Sequence, residues 1–146
     1  MLDNIIENYE YKELMEKQVK EQISFLVSKK EEFSIVVNVE QIDFNHKLPS
    51  HIMDNINHFA LFALANYTYS TITLYSDFMT FETGFGRENI GSVLSVPYHT
   101  ILQIIVEEKI MFLNHTATVE NFKMENQTRS SVDVFKSNPK NKKFNS

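Results

Sequence analysis

A chain of 146 residues with a formal charge of −5 and 42% apolar residues is the size of one domain with a small core. Its acidic balance argues against a nucleic-acid binder, which needs a basic face for phosphates. The absence of Cys excludes disulfides, thiolate metal sites and a Cys nucleophile, and 12 Phe with 6 Tyr and no Trp give an aromatic core. Met1 to Glu7 has no basic n-region and no long apolar run, so it does not read as a signal peptide. The longest apolar run, Phe59 to Ala65, is far too short to span a bilayer. A cytoplasmic protein with neither membrane nor nucleic acid as partner is the expectation.

Tyr11, Leu14, Met15, Val19, Ile23, Leu26 and Val27 recur at spacings of three and four, which predicts an amphipathic helix over 9–29. Its apolar stripe needs a partner, by default its own domain's sheet, otherwise the same helix of a second copy. Ser34 to Glu40 is β-branched and alternating, a strand, and the phase shift to Ile42 and Phe44 predicts a bulge near Gln41. Leu48-Pro49-Ser50 breaks the chain, and a short turn or helix is expected at His51 to Asn55. Phe59 to Ala65, apolar on both faces, reads as a central strand. Tyr69 to Tyr75 alternates as another, turning at Ser76-Asp77 into Met79 to Phe85. There Met79, Phe81, Thr83 and Phe85 run into Gly84 and Gly86, an apolar strand edge beside a glycine-loosened loop, suited to an extended peptide. Ile90 to Val96 follows as a strand, and Pro97 fits the first position of a helix expected to reach about Glu108, burying Tyr98, Ile101, Leu102 and Ile105. Ile110 to Leu113 is a last short strand. The order predicts a mainly β (α+β) fold, a small β-sandwich or barrel with an N-terminal helix and a short helix before the last strand.

The charge is unevenly placed. Residues 1–122 carry 8 basic and 17 acidic side chains, whereas 123–146 carry 6 and 2. The basic segment cannot bury enough apolar area to offset the entropy of ordering, so it reads as disordered. A short apolar island, Val132-Asp133-Val134-Phe135-Lys136, interrupts it and looks like a linear docking motif on a tether.

Enzyme chemistry finds few residues to carry it. His46, His51, His58, His99 and His115 lack the helical spacing of a zinc motif. Gly84, Gly86 and Gly91 open no phosphate loop, and no nucleophile elbow is present. Glu107-Glu108 reads as a solvated helix end, and the sequons at Asn66, Asn114 and Asn126 carry no meaning without a secretory signal. No enzyme, no metal and no cofactor is the expectation.

The chain resembles the stringent starvation protein B (SspB) family, specificity adaptors that deliver ssrA-tagged polypeptides to the ClpXP protease. The resemblance rests on Phe81-x-x-x-Phe85-Gly86, Ser95-Val96-Pro97 and the segment after it, Met111-Phe112, and Ser131-Val132-Asp133-Val134-Phe135-Lys136. That last segment is similar to the ending of the alphaproteobacterial branch. Arg87 stands where the family has a second glycine, and Glu88-Asn89 reads as an insertion. The resemblance implies an SspB-like, Sm-like sandwich over 1–115 with an N-terminal dimerisation helix, a flexible linker over 116–130 and a tail over 131–146. It implies a tag-peptide site at Thr83, Gly84, Phe85, Gly86 and Met111, with Phe85 and Met111 as pocket walls. It implies docking of Val132, Asp133, Val134, Phe135 and Lys136 on the ClpX N-terminal domain, and a homodimer through Tyr11, Leu14, Met15, Val19 and Ile23. An Sm-like barrel binding nucleic acid or another peptide is the competing expectation.

Overall fold

β-Branched residues set the centre of the fold. In the computed structural model, which describes residues 4–124, the strands are β1 (Phe33–Asn38), β2 (Asp43–Asn45), β3 (Phe59–Leu64), β4 (Thr73–Leu74), β5 (Phe78–Phe85), β6 (Ile90–Pro97), β7 (Ile101–Val106) and β8 (Lys109–Leu113). They form two antiparallel four-stranded sheets, ordered β3-β1-β7-β8 and β2-β6-β5-β4. The helices are α1 (Tyr9–Ser28), α2 (Ser50–Met53) and α3 (Asn66–Ser70), so the protein is mainly β. None of them is long and apolar enough to cross a membrane. The described residues divide into two contact units, 15–118 and the pair of segments 4–14 and 119–124.

In the larger unit the sheets stack face to face. Phe33, Ile35 and Val37 of β1, Phe62 and Leu64 of β3 and Ile101 and Ile104 of β7 meet Met79 and Phe81 of β5 and Leu94 and Val96 of β6 in one buried cluster. Val19, Ile23 and Leu26 of α1 join it, so the helix stripe is spent on the chain's own core. Buried Met15, Val19 and Ile23 are therefore not a free seam for a second copy; of the expected dimer residues only Leu14 is exposed, and Tyr11 is half-buried. The helix ends in a Schellman motif with Lys30 at φ +58°: the Glu31 N–H donates to the Leu26 carbonyl at 2.9 Å and the Lys30 N–H to that of Val27 at 3.0 Å.

Several expectations change. The predicted bulge near Gln41 is a 3-10 turn, Val39–Gln41, that carries the chain from one sheet to the other. Buried Asn38 fixes this crossing: its side chain accepts from the Glu40 N–H at 3.2 Å and donates to the Ala117 carbonyl at 3.0 Å. The strand over Phe59 to Ala65 is an edge strand, not a central one. Tyr69 to Tyr75 is the end of α3 followed by two-residue β4. The helix expected from Pro97 stops after the 3-10 turn Tyr98–Thr100 and gives way to β7. Glu107-Glu108 is then the two-residue turn joining β7 to β8, both residues left-handed at φ +52° and +68°.

The buried Asn114 and Thr116 side chains are satisfied locally. Buried Asn114 donates to the Ile101 carbonyl at 3.0 Å, and its oxygen accepts from the Thr116 N–H and hydroxyl. Thr116 and Ala117 are fully buried, so residues at the start of the expected linker are packed. In the smaller unit, the Lys123 N–H donates to the Glu7 carbonyl, the Tyr9 N–H donates to that of Lys123, and the Lys123 ammonium lies 3.2 Å from the Glu7 carboxylate. The linker expected over 116–130 is therefore not a free one as far as Lys123.

Candidate functional site

The β5–β6 hairpin is the longest in the fold. Its registers run from Phe78↔Pro97 to Phe85↔Ile90, and Gly86 to Asn89 close it. The Asn89 N–H donates to the Gly86 carbonyl at 3.1 Å, and both residues are left-handed, at φ +72° and +54°. Glycine suits that conformation at Gly86; a Cβ there would also press on Ile52 Cδ1 at 3.0 Å. Gly84 is glycine because the Asn89 side chain occupies the place of its Cβ. Both glycines thus serve the chain's own packing.

The strand alternation turns Met79, Phe81, Thr83 and Phe85 toward the other sheet. Phe81 is 1% exposed and belongs to the core, while Phe85 is half-buried. Two rings hold Phe85: Phe44 of β2 lies 5.9 Å away and Phe62 of β3 lies 6.1 Å away, both edge-on, with Phe62 in turn 5.9 Å from Phe81. The open side of Phe85 lines a depression of about 460 Å³ with Ile52 and Ile56, Gly86, His51, Asn55, Arg87 and Glu88. Its lip carries both charges, Arg87 and Glu88, and its floor is apolar.

Helix α2 brings in the far wall. Pro49 is its N-cap residue, Ile52 is buried, and the Asn55 amide ties back to the His51 carbonyl at 2.7 Å. Leu48, buried ahead of the proline, anchors the segment. These wall residues were absent from the expected site, although a short turn or helix was expected at His51 to Asn55.

Of the expected tag residues, the depression collects Phe85 and Gly86. Thr83 and Gly84 lie farther along the same strand and do not line it. Met111 stands apart, on edge strand β8 of the other sheet, 54% exposed. The register passes from Ile104↔Phe112 to Ile105↔Ile110, leaving Met111 as the bulged residue. The resemblance implied a pocket wall at Met111, but it does not line this depression; Phe112 beside it packs on the core. Val132, Asp133, Val134, Phe135 and Lys136 lie outside the described residues.

Among the described residues, no group of three or more His, Asp or Glu side chains is placed to hold a metal ion. Burial pushes the Tyr98 phenol up to about 12, with Asp77 adding to the shift, and its hydroxyl donates to the Tyr75 carbonyl at 2.8 Å. That bond ties the 3-10 turn after β6 to the turn before β5, at the root of the hairpin. No protein-family model matches the chain, and no curated protein or solved structure matches it.

Proposed function

We propose that the protein is an adaptor that binds ssrA-type degradation tags and tethers the tagged polypeptides to the ClpXP protease. The observation that carries this reading is the depression at the tip of the β5–β6 hairpin. It is open, has an apolar floor of Phe85, Ile52 and Ile56, and is held on a rigid sandwich. Those are the properties that hold an extended peptide: side chains in apolar pockets and charged groups at the rim for register. Arg87, where the resembling family has glycine, offers a bidentate donor to a tag carboxylate.

The work done is tethering. An adaptor that holds the tag while its own Val132–Lys136 segment docks on the ClpX N-terminal domain raises the local concentration of substrate at the unfoldase. In a homodimer two such segments act together, so weak contacts suffice. The adaptor itself forms and breaks no covalent bond.

Titration of a fluorescent ssrA-type peptide into the full chain tests the reading, with saturable binding as the expected outcome. Phe85→Asp should weaken it at least about tenfold, since a carboxylate against Phe44 and Phe62 is desolvated without a partner. Replacing Val134 and Phe135 by Ala should leave peptide binding intact and abolish enhanced delivery to ClpX. Absence of saturable binding by the unmodified chain overturns the adaptor reading.

A further inference from the structure

The outer face of the first sheet takes no part in the depression beside Phe85. The strand registers set its side chains in two rows. Ala63, Ser34, Ile105 and Ile110 form one. Leu61, Val36, Gln103 and Leu113 form the next. No member of either row is charged, and Leu61 and Ile110 are each 57% exposed and Leu113 42%. A sheet surface of this kind, apolar but for Ser34 and Gln103, is ordinarily covered by another element.

Four carboxylates gather at one end of this face. Glu31 and Glu32, just before β1, and Glu107 and Glu108, in the β7–β8 turn, line an open depression of about 570 Å³ together with Leu61 and Ile105. No Lys or Arg lines it. Glu32 accepts the Asn66 N–H at 2.9 Å, a neutral donor that leaves its charge in place. The rows span four strands, roughly 15 Å at about 4.8 Å per strand, and stand about 7 Å apart. That matches the footprint of roughly ten residues of an α-helix about 10 Å across. A second copy stacked with its acidic end over this one would instead bring carboxylates of like sign together.

We propose that this face is a docking surface for a basic amphipathic helix of a partner protein. The apolar stripe of that helix covers the two rows, and its Lys or Arg side chains meet Glu31, Glu32, Glu107 and Glu108. The site is separate from the tag-binding reading, since none of its residues lines the depression beside Phe85.

The probe is a fluorescent peptide of about 14 residues with Leu at helical spacing and Lys elsewhere, titrated into the full chain, beside the same pattern with Glu for Lys. The Lys peptide should saturate, bind at least about tenfold more weakly in about 0.5 M than in about 0.05 M salt, and outcompete the Glu peptide, which should not bind. Glu107→Asn combined with Glu108→Gly should weaken the Lys peptide at least about tenfold. Asn-Gly is the preferred pair for a left-handed two-residue turn, so this variant eases the backbone, and its unchanged melting temperature separates loss of binding from unfolding. Equal binding of both peptides, or a Lys-peptide affinity unchanged in the Asn-Gly variant, overturns the proposal. So does a dimer that Ile110→Glu converts to monomer in sedimentation, because a second copy then covers the face. Binding of the ssrA-type peptide should be the same in all of these variants.

Discussion

Root and tip of the β5–β6 hairpin share one strand face and one alternation, yet they are built for different ends. At the root, Met79 and Phe81 are 0% and 1% exposed, backed by Leu94 and Val96 and latched by the Tyr98 hydroxyl. At the tip, Phe85 continues the same face but only half its surface is covered, by Phe44, Phe62 and the short helix α2. Periodicity decides which way a side chain points; the elements beyond it decide how deeply it is buried. A scaffold and a binding edge can therefore be cut from one strand without a change in pattern.

The sharpest way to break this contrast is at the root. Phe81→Ala should destabilise the fold by about 3–5 kcal/mol in chemical denaturation, as a fully buried aromatic leaves a cavity. A loss under about 1 kcal/mol would mean that the root is no more essential than the tip. Alkaline pH attacks the root next. The folded Tyr98 phenol titrates near 12, above its ordinary 10, so the neutral form is favoured by folding. Its contribution is complete below pH 10 and is lost as pH rises toward 12, on the order of 2 kcal/mol. Denaturation midpoints followed across that window should fall in the native chain and stay flatter in Tyr98→Phe. At the tip the expected effects are smaller. Gly86→Ala should cost about 1 kcal/mol, because alanine at φ +72° is strained. Gly84→Ala should cost less, about 0.5 kcal/mol, since the Asn89 side chain can swing aside. Thermal melts that reverse the order of these two would show that the hairpin closure is held by Asn89 rather than by Gly86.

Much of this architecture was legible in the chain. Helix α1, strands β1, β5, β6 and β8 and the two-sheet class follow from spacing alone. The segment after Pro97 did not, for a definite reason. The register of β1 against β7 shifts between Val36 and Val37, and that of β7 against β8 between Ile104 and Ile105. These irregularities leave Ile101 and Ile104 as the buried residues of β7, three apart, which mimics a helix. The β-branched content of Ile101 to Val106 was the better guide. At the candidate site, Phe85 and Gly86 were legible from the strand running into glycine. The α2 wall was not, because residues far apart in the chain meet only through the sandwich. Met111 failed for the converse reason: a bulge, invisible to alternation, turned it outward on the other sheet.

The crossing at Asn38 has a kinetic consequence. β1 belongs to one sheet and β2 to the other, and only Val39 to Ile42 separate them. β1 pairs with β3 and β7, whereas β2 pairs with β6, so each sheet draws on segments that interleave with those of its neighbour along the chain. The β1–β7 pairing spans every strand of the second sheet and the β2–β6 pairing spans β3, so each of these closures costs loop entropy before contacts return it. The slowest-exchanging amides of β1 and β6 should consequently share one opening free energy, as members of a single cooperative unit.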